Sequence, residues 1–174
     1  MERWQNPATA WIYMDHHILW RSRLQRRGKP VTTLFERHKL FVLERREQNR
    51  LVALVTDQAM APQHGGRFFY FAAGPGRSVD DLHTMCALLN SRLVSCYYRA
   101  AGQGNKDLRV RPLASMPGEL RARLCAASKR QHELHLQAAP GHALDSAAVQ
   151  AEIDSLVEDL YELSPAERQT LAQL

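Results

Sequence analysis

The chain is poor in the residues that carry covalent or metal chemistry. Its three cysteines, Cys86, Cys96 and Cys125, are odd in number and form neither a C-x-x-C pair nor the spacing of a zinc site, which argues against a disulfide framework and for buried thiols in a reducing compartment. No apolar run approaches the roughly 20 residues of a spanning helix. The first residues, Met1-Glu2-Arg3-Trp4-Gln5-Asn6-Pro7, lack the apolar core of a signal peptide. The expectation is a cytoplasmic protein without a membrane contact. There is no G-x-S-x-G, no phosphate-binding loop and no Rossmann glycine pattern. Asp15-His16-His17 offers two adjacent imidazoles that cannot easily chelate one ion, and His132-Glu133-Leu134-His135 misses the i, i+4 spacing of a helical zinc site. No catalytic constellation, metal or cofactor is therefore expected. Internal repeats and low-complexity tracts are also missing.

What is present is an ordinary globular composition, 45% apolar and 24% charged over 174 residues, enough for one domain with a core. The net charge of +5 is unevenly placed: residues 21 to 50 hold ten Lys or Arg against three Glu, whereas residues 142 to 174 hold seven acids against Arg168 alone. A basic first part facing a polyanion and an acidic end with a different task fit that asymmetry.

Residues 1 to 30 show no clean period. From Lys39 onward, Leu40-Phe41-Val42-Leu43 and Leu51-Val52-Ala53-Leu54-Val55 flank the polar turn Arg45 to Asn49, the pattern of a hairpin. With Phe68-Phe69-Tyr70-Phe71 this predicts three strands, near Lys39 to Arg45, Arg50 to Asp57 and Arg67 to Ala73. Val79 to Ala100 has helical spacing, with Leu82, Met85, Cys86, Leu89, Leu93, Cys96 and Tyr97 on one face. Leu108-Arg109-Val110-Arg111 alternates like a short strand, which puts both arginines on one face. Helices are predicted for Gly118 to about Ala138, with Leu120, Leu124, Ala127 and Leu134 inward, and for Ser146 to Leu163, with Val149, Ile153, Leu156, Val157, Leu160 and Leu163 as a stripe. Ser164-Pro165-Ala166-Glu167 reads as a capping box opening a short last helix. The predicted fold is α+β: a small, twisted, mostly antiparallel sheet interrupted by a helix, followed by a helical C-terminal end. Residues 1–141 form the α+β domain, and residues 142–174 form an appendage that packs on it or on a partner.

Two loops carry the chemistry of duplex DNA recognition. Arg45, Arg46, Asn49 and Arg50 surround the hairpin turn, and Lys106, Arg109 and Arg111 occupy a glycine-flanked loop and the strand it feeds. Arginine forks match phosphate oxygens and the guanine edge, and asparagine matches adenine.

These residues also carry a resemblance. Leu34-Phe35-Glu36-Arg37-His38-Lys39-Leu40-Phe41-Val42 with Arg45-Arg46 and Asn49, then Leu88-Leu89-Asn90-Ser91-Arg92-Leu93, then Arg109 to Pro117, and finally Ile153 to Ser164 follow one another in an order that resembles the TaqI-like C-terminal specificity domain. That domain is the target-recognition part of adenine-specific DNA methyltransferases and of fused type II restriction-modification enzymes. The resemblance implies DNA-binding roles for Lys106, Arg109 and Arg111 and structural roles for Leu88, Leu89, Asn90, Ser91 and Leu93. Two departures stand out. Ser115-Met116-Pro117-Gly118 replaces the family's L-P-x-P, and the N-P-P-Y-type motif and cofactor glycines of the methyltransferase are missing. The expectation is a sequence-specific DNA target-recognition domain, non-catalytic by itself, whose partners are double-stranded DNA and a methyltransferase or restriction subunit. The alternative is a protein-interaction module that docks on such a partner without reading DNA, using the helical end from Ser146 to Leu174.

Overall fold

The computed structural model describes residues 11–13, 38–45, 50–57, 60–62, 68–72, 77–100, 110–137 and 142–173. Its strands are β1 (Trp11–Tyr13), β2 (Lys39–Arg45), β3 (Arg50–Thr56), β4 (Met60–Pro62) and β5 (Phe68–Ala72). The helices are α1 (Val79–Asn90), α2 (Arg92–Ala100), α3 (Gly118–Gln137), α4 (His142–Leu160) and α5 (Pro165–Ala172), with a single 3-10 turn at Leu113–Ser115. The architecture is α+β with a helical C-terminal end, as the sequence pattern predicts.

The main sheet has the order β3-β2-β5, and both pairings are antiparallel. The strand pattern explains its register. Val42 pairs with Ala53 and Leu40 with Val55, and all four side chains are buried in the core that the helices complete. Phe41 and Val52, which point to the other face, are buried too, so β2 and β3 are covered on both sides. A one-residue slip would exchange the two sets of side chains. A separate two-stranded ribbon joins β1 to β4, with Trp11 opposite Pro62. The sequence pattern predicts neither strand, because each is only three residues long.

The 22-residue helix expected over Val79 to Ala100 is two helices. Ser91 has an extended backbone (φ −66°, ψ 154°) and closes α1 through its N–H to the Leu88 carbonyl. Its hydroxyl donates to the same carbonyl at 2.7 Å and accepts the Val94 N–H at 3.3 Å. One serine thus ends α1 and caps α2. At the other end of α1, Ser78 and Asp81 form a reciprocal capping box.

The strand expected over Leu108 to Arg111 is also corrected where it is described. Val110 and Arg111 belong to no strand, because the Arg111 N–H is taken by the Tyr161 hydroxyl at 2.9 Å, which lays this segment along the end of α4 rather than against the sheet. The three described strands of the main sheet all precede α1, and Val110 and Arg111 add none after it, unlike the helix-interrupted sheet that the sequence pattern predicts.

The helical end shares the core. Ile153, Leu156, Val157 and Leu160 are each at most 1% exposed and pack in one cluster with Leu40, Leu82 and Leu124. The apolar stripe that offers a docking face in the sequence is covered by this chain's own side chains. Helix α4 ends in a Schellman motif: Leu163 N–H donates to the Glu158 carbonyl and Glu162 N–H to that of Asp159, with Glu162 at φ 55°.

Candidate nucleic-acid interface

The hairpin is built by β2 and β3, and its register brings Arg45 directly opposite Arg50. These two of the seven expected DNA-binding residues are therefore neighbours at the last pair before the turn. Arg46 and Asn49, within that turn, and Lys106 and Arg109 lie outside the described residues.

Arg111 is described, and it faces inward to the protein. Its backbone N–H meets Tyr161, and its guanidinium Nη1 donates to the Leu160 carbonyl at 2.7 Å. A cation on one of the last carbonyls of α4 satisfies an end group and opposes the negative end of the helix dipole. The alternating run 108–111 contains no signal of this role, because the partner is a helix end 49 residues further along the chain.

Most acids of the helical end are tied up in the same way. Asp154 Oδ1 accepts the Arg92 N–H at 2.7 Å, so it caps the N-terminus of α2. Glu158, buried, takes the Arg92 guanidinium at 2.7 Å and has Arg168 at 3.8 Å. Asp159 pairs with Arg168 and Glu152 with Arg130. Three of the seven acids read along the sequence, Glu152, Glu158 and Asp159, are thus paired with arginines of this chain.

Asn90 is the residue whose role is plainest. Strand β3 is an outer strand of its sheet, and its free edge would expose unpaired peptide groups. The Asn90 carboxamide meets that edge as a peptide would: Oδ1 accepts the Ala53 N–H at 3.0 Å and Nδ2 donates to the Ala53 carbonyl at 2.8 Å. It is fully buried.

A polar seam runs between α1 and α3. His83 Nδ1 lies 3.2 Å from the Ser128 hydroxyl, and its ring stands edge-on to His132 at 6.2 Å between centroids. Gln131, buried in the same helix, donates to the Ser146 hydroxyl at 2.6 Å and lies 3.4 Å from His135 Nε2. Burial, with His132 and Lys129 close by, pushes His83 down to about 4 against the pull of Asp80. Burial and His132 also lower His135 to about 4. These imidazoles are packed in the neutral form. Among the described residues no group of three His, Cys, Asp or Glu is arranged to hold a metal ion, and His16 and His17 lie outside them. The three cysteines are free thiols; burial raises Cys86 to about 12, which makes it inert at neutral pH. The other notable buried charge is Lys39, in β2, whose ammonium sits 5.9 Å from the Phe41 ring centroid. Burial lowers it to about 8, with Asp57 opposing.

None of the helices in the described residues is long and apolar enough to cross a membrane. No protein-family model, curated protein or solved structure matches the chain.

Proposed function

We propose that the chain is a sequence-specific DNA target-recognition domain of a DNA methyltransferase or restriction-modification system, acting in the cytoplasm and non-catalytic by itself. The observation that carries the reading is the hairpin tip, where Arg45 and Arg50 are cross-strand partners and Arg46 and Asn49 lie between them in the sequence. Two cations directly opposite each other repel, so their pairing at the end of β2 and the start of β3 calls for an anionic partner. Residues 21 to 50, which contain this tip, hold ten of the chain's basic residues. Guanidinium forks and one carboxamide within the six residues 45 to 50 suit phosphates and base edges together. Base chemistry would be supplied by a catalytic partner held beside the domain.

Selection from a randomised duplex pool tests the reading. The parent protein enriches a defined sequence. Arg46→Ala and Asn49→Ala relax the preference at individual positions, each by about 1–3 kcal/mol against the wrong base. Arg45→Ala with Arg50→Ala lowers affinity for all duplexes. A pool that emerges unenriched from the parent protein contradicts sequence-specific recognition.

A further inference from the structure

The hairpin that carries Arg45 and Arg50 outruns its sheet. Strand β5 pairs with β2 from Lys39 to Leu43, where Leu43 meets Phe68, whereas β2 pairs with β3 as far as Arg45 and Arg50. Among the described residues, the last two pairs of the hairpin, Glu44 with Leu51 and Arg45 with Arg50, therefore have no third strand beside them. Two-stranded ribbons twist more widely than larger sheets and are marginal alone. The direction of the tip is thus set by what grips the two strands just below it.

On one side that grip is Phe68 against Leu43. On the other side, at the outer edge of β3, it is Asn90, whose carboxamide exchanges two hydrogen bonds with the Ala53 peptide groups. The Cys86 thiol, one helical turn earlier, donates to the same Ala53 carbonyl at 3.5 Å. Ala53 is three residues from Arg50, about 10 Å along the strand. A two-point contact fixes orientation as well as distance. Asn90 is itself held from behind, because it ends α1 and is followed by Ser91, the cap that α1 and α2 share. Gln150 of α4 donates to the Asn90 carbonyl at 3.4 Å and to Asp154 Oδ1 at 3.1 Å, the oxygen that takes the Arg92 N–H. A hydrogen-bonded line runs from α4 through the junction of α1 and α2 to the middle of β3.

We propose that Asn90 is a positioning residue for DNA recognition: its two bonds to Ala53 lock β3 to the helical body and so set the angle at which the hairpin tip meets the duplex. This rests on the DNA-binding reading. Asn90 is fully buried, so its loss removes no phosphate contact and instead leaves the tip sampling several angles, of which one fits. Apparent affinity scales with the competent fraction, and a tip correctly aimed about a tenth of the time binds about tenfold more weakly. Base contacts carry the sequence information, so discrimination falls with the loss of aim.

Double electron-electron resonance on the 174-residue protein reads the angle, with nitroxides at Gln48→Cys, between Arg45 and Arg50 in the sequence, and at Ser155→Cys on the exposed side of α4, in a background of Cys96→Ser and Cys125→Ser. The parent gives one narrow distance distribution, and Asn90→Ala broadens it. The same variant binds the duplex selected by the parent about tenfold more weakly, discriminates less against a single mismatched base pair, and keeps the parent's log-log salt slope because the phosphate contacts are intact. Asn90→Asp, of the same shape but without the donor to the Ala53 carbonyl when ionised, takes its place if Asn90→Ala does not melt cooperatively. Val157→Ala, which opens the core at α4 instead, keeps the parent's distribution and discrimination; if it matches the Asn90 variant in either, the effect is one of stability and the inference is overturned. A parent distribution that is already broad overturns it whether or not the variants fold, as does an Asn90 variant with a reduced slope. If the parent binds no duplex, the DNA-binding reading fails and the inference with it. If the parent binds and the Asn90 variant alters neither distance nor discrimination, the inference alone fails and the DNA-binding reading stands.

Discussion

Single side chains decide several local structures in this protein, and each is open to a direct test. Asn90 is the clearest. Replacing it with Leu leaves the Ala53 N–H unpaired at a buried sheet edge and its carbonyl with only the Cys86 thiol at 3.5 Å, and the expected cost is about 2–4 kcal/mol in urea unfolding. An unchanged midpoint would show that the edge does not need the carboxamide. Arg111 separates two roles that the sequence pattern merges. If its guanidinium serves the end of α4, Arg111→Ala lowers stability by about 1–2 kcal/mol and leaves DNA sequence preference alone. A shifted preference with unchanged stability would return Arg111 to base readout. The alternating Leu108 to Arg111 run reads as a strand because period-2 alternation is a local signal, whereas the Tyr161 and Leu160 partners that hold Val110 and Arg111 in place come from the far end of the chain.

At the scale of elements, periodicity is most informative where an element is long and apolar on one side. The hairpin, the position of α3 and the stripe of α4 are legible for that reason, and the Ser164 capping box appears where the S-P-A-E spelling puts it. The break at Ser91 is hidden because Leu93, Cys96 and Tyr97 continue the apolar spacing of α1 in the sequence, whereas the structure turns Val94, Ser95 and Tyr98 inward and leaves Tyr97 exposed; a hydroxyl that ends one helix and starts the next leaves no mark in that spacing. The three-residue strands β1 and β4 are too short to show alternation. The seam between α1 and α3 makes a pH prediction. His83 and His135 are held near 4 in the fold against an ordinary value of 6.5, so in this window the unfolded chain binds more protons than the folded one. The stability they contribute is complete above about pH 6.5 and is lost as pH falls toward 4. Asp81, lowered mainly by the Ser78 backbone N–H with Arg121 contributing, adds a loss only below its ordinary 3.8. Melting temperature should therefore fall between pH 6.5 and 4, and His83→Gln, which can still bond Ser128, should flatten that fall. A parent protein whose melting temperature is level across this interval contradicts the buried-neutral assignment.

For the whole molecule, sheet and helical end are one folding unit. Ile153, Leu156, Val157 and Leu160 supply the centre of the core, so a chain ending before residue 142 exposes Leu40, Leu82 and Leu124 together. Loss of several fully buried side chains, each worth about 2–5 kcal/mol, exceeds the usual stability of a domain. Truncation should give an aggregated or unfolded remnant; a soluble one with a cooperative melt would contradict the shared core. The charge asymmetry takes on a physical meaning at this scale. Glu152, Glu158 and Asp159 of α4 are paired with Arg92, Arg130 and Arg168, whereas ten basic residues fall within residues 21 to 50 against three acids. The claim that this asymmetry serves DNA is tested most directly by the affinity of the intact protein for a mixed duplex across a salt series. If the basic residues engage phosphates, the logarithm of affinity falls linearly with the logarithm of salt concentration, with a slope of about −0.9 for each contact and several contacts in all. A salt-independent affinity, or no binding at low salt, would contradict the account.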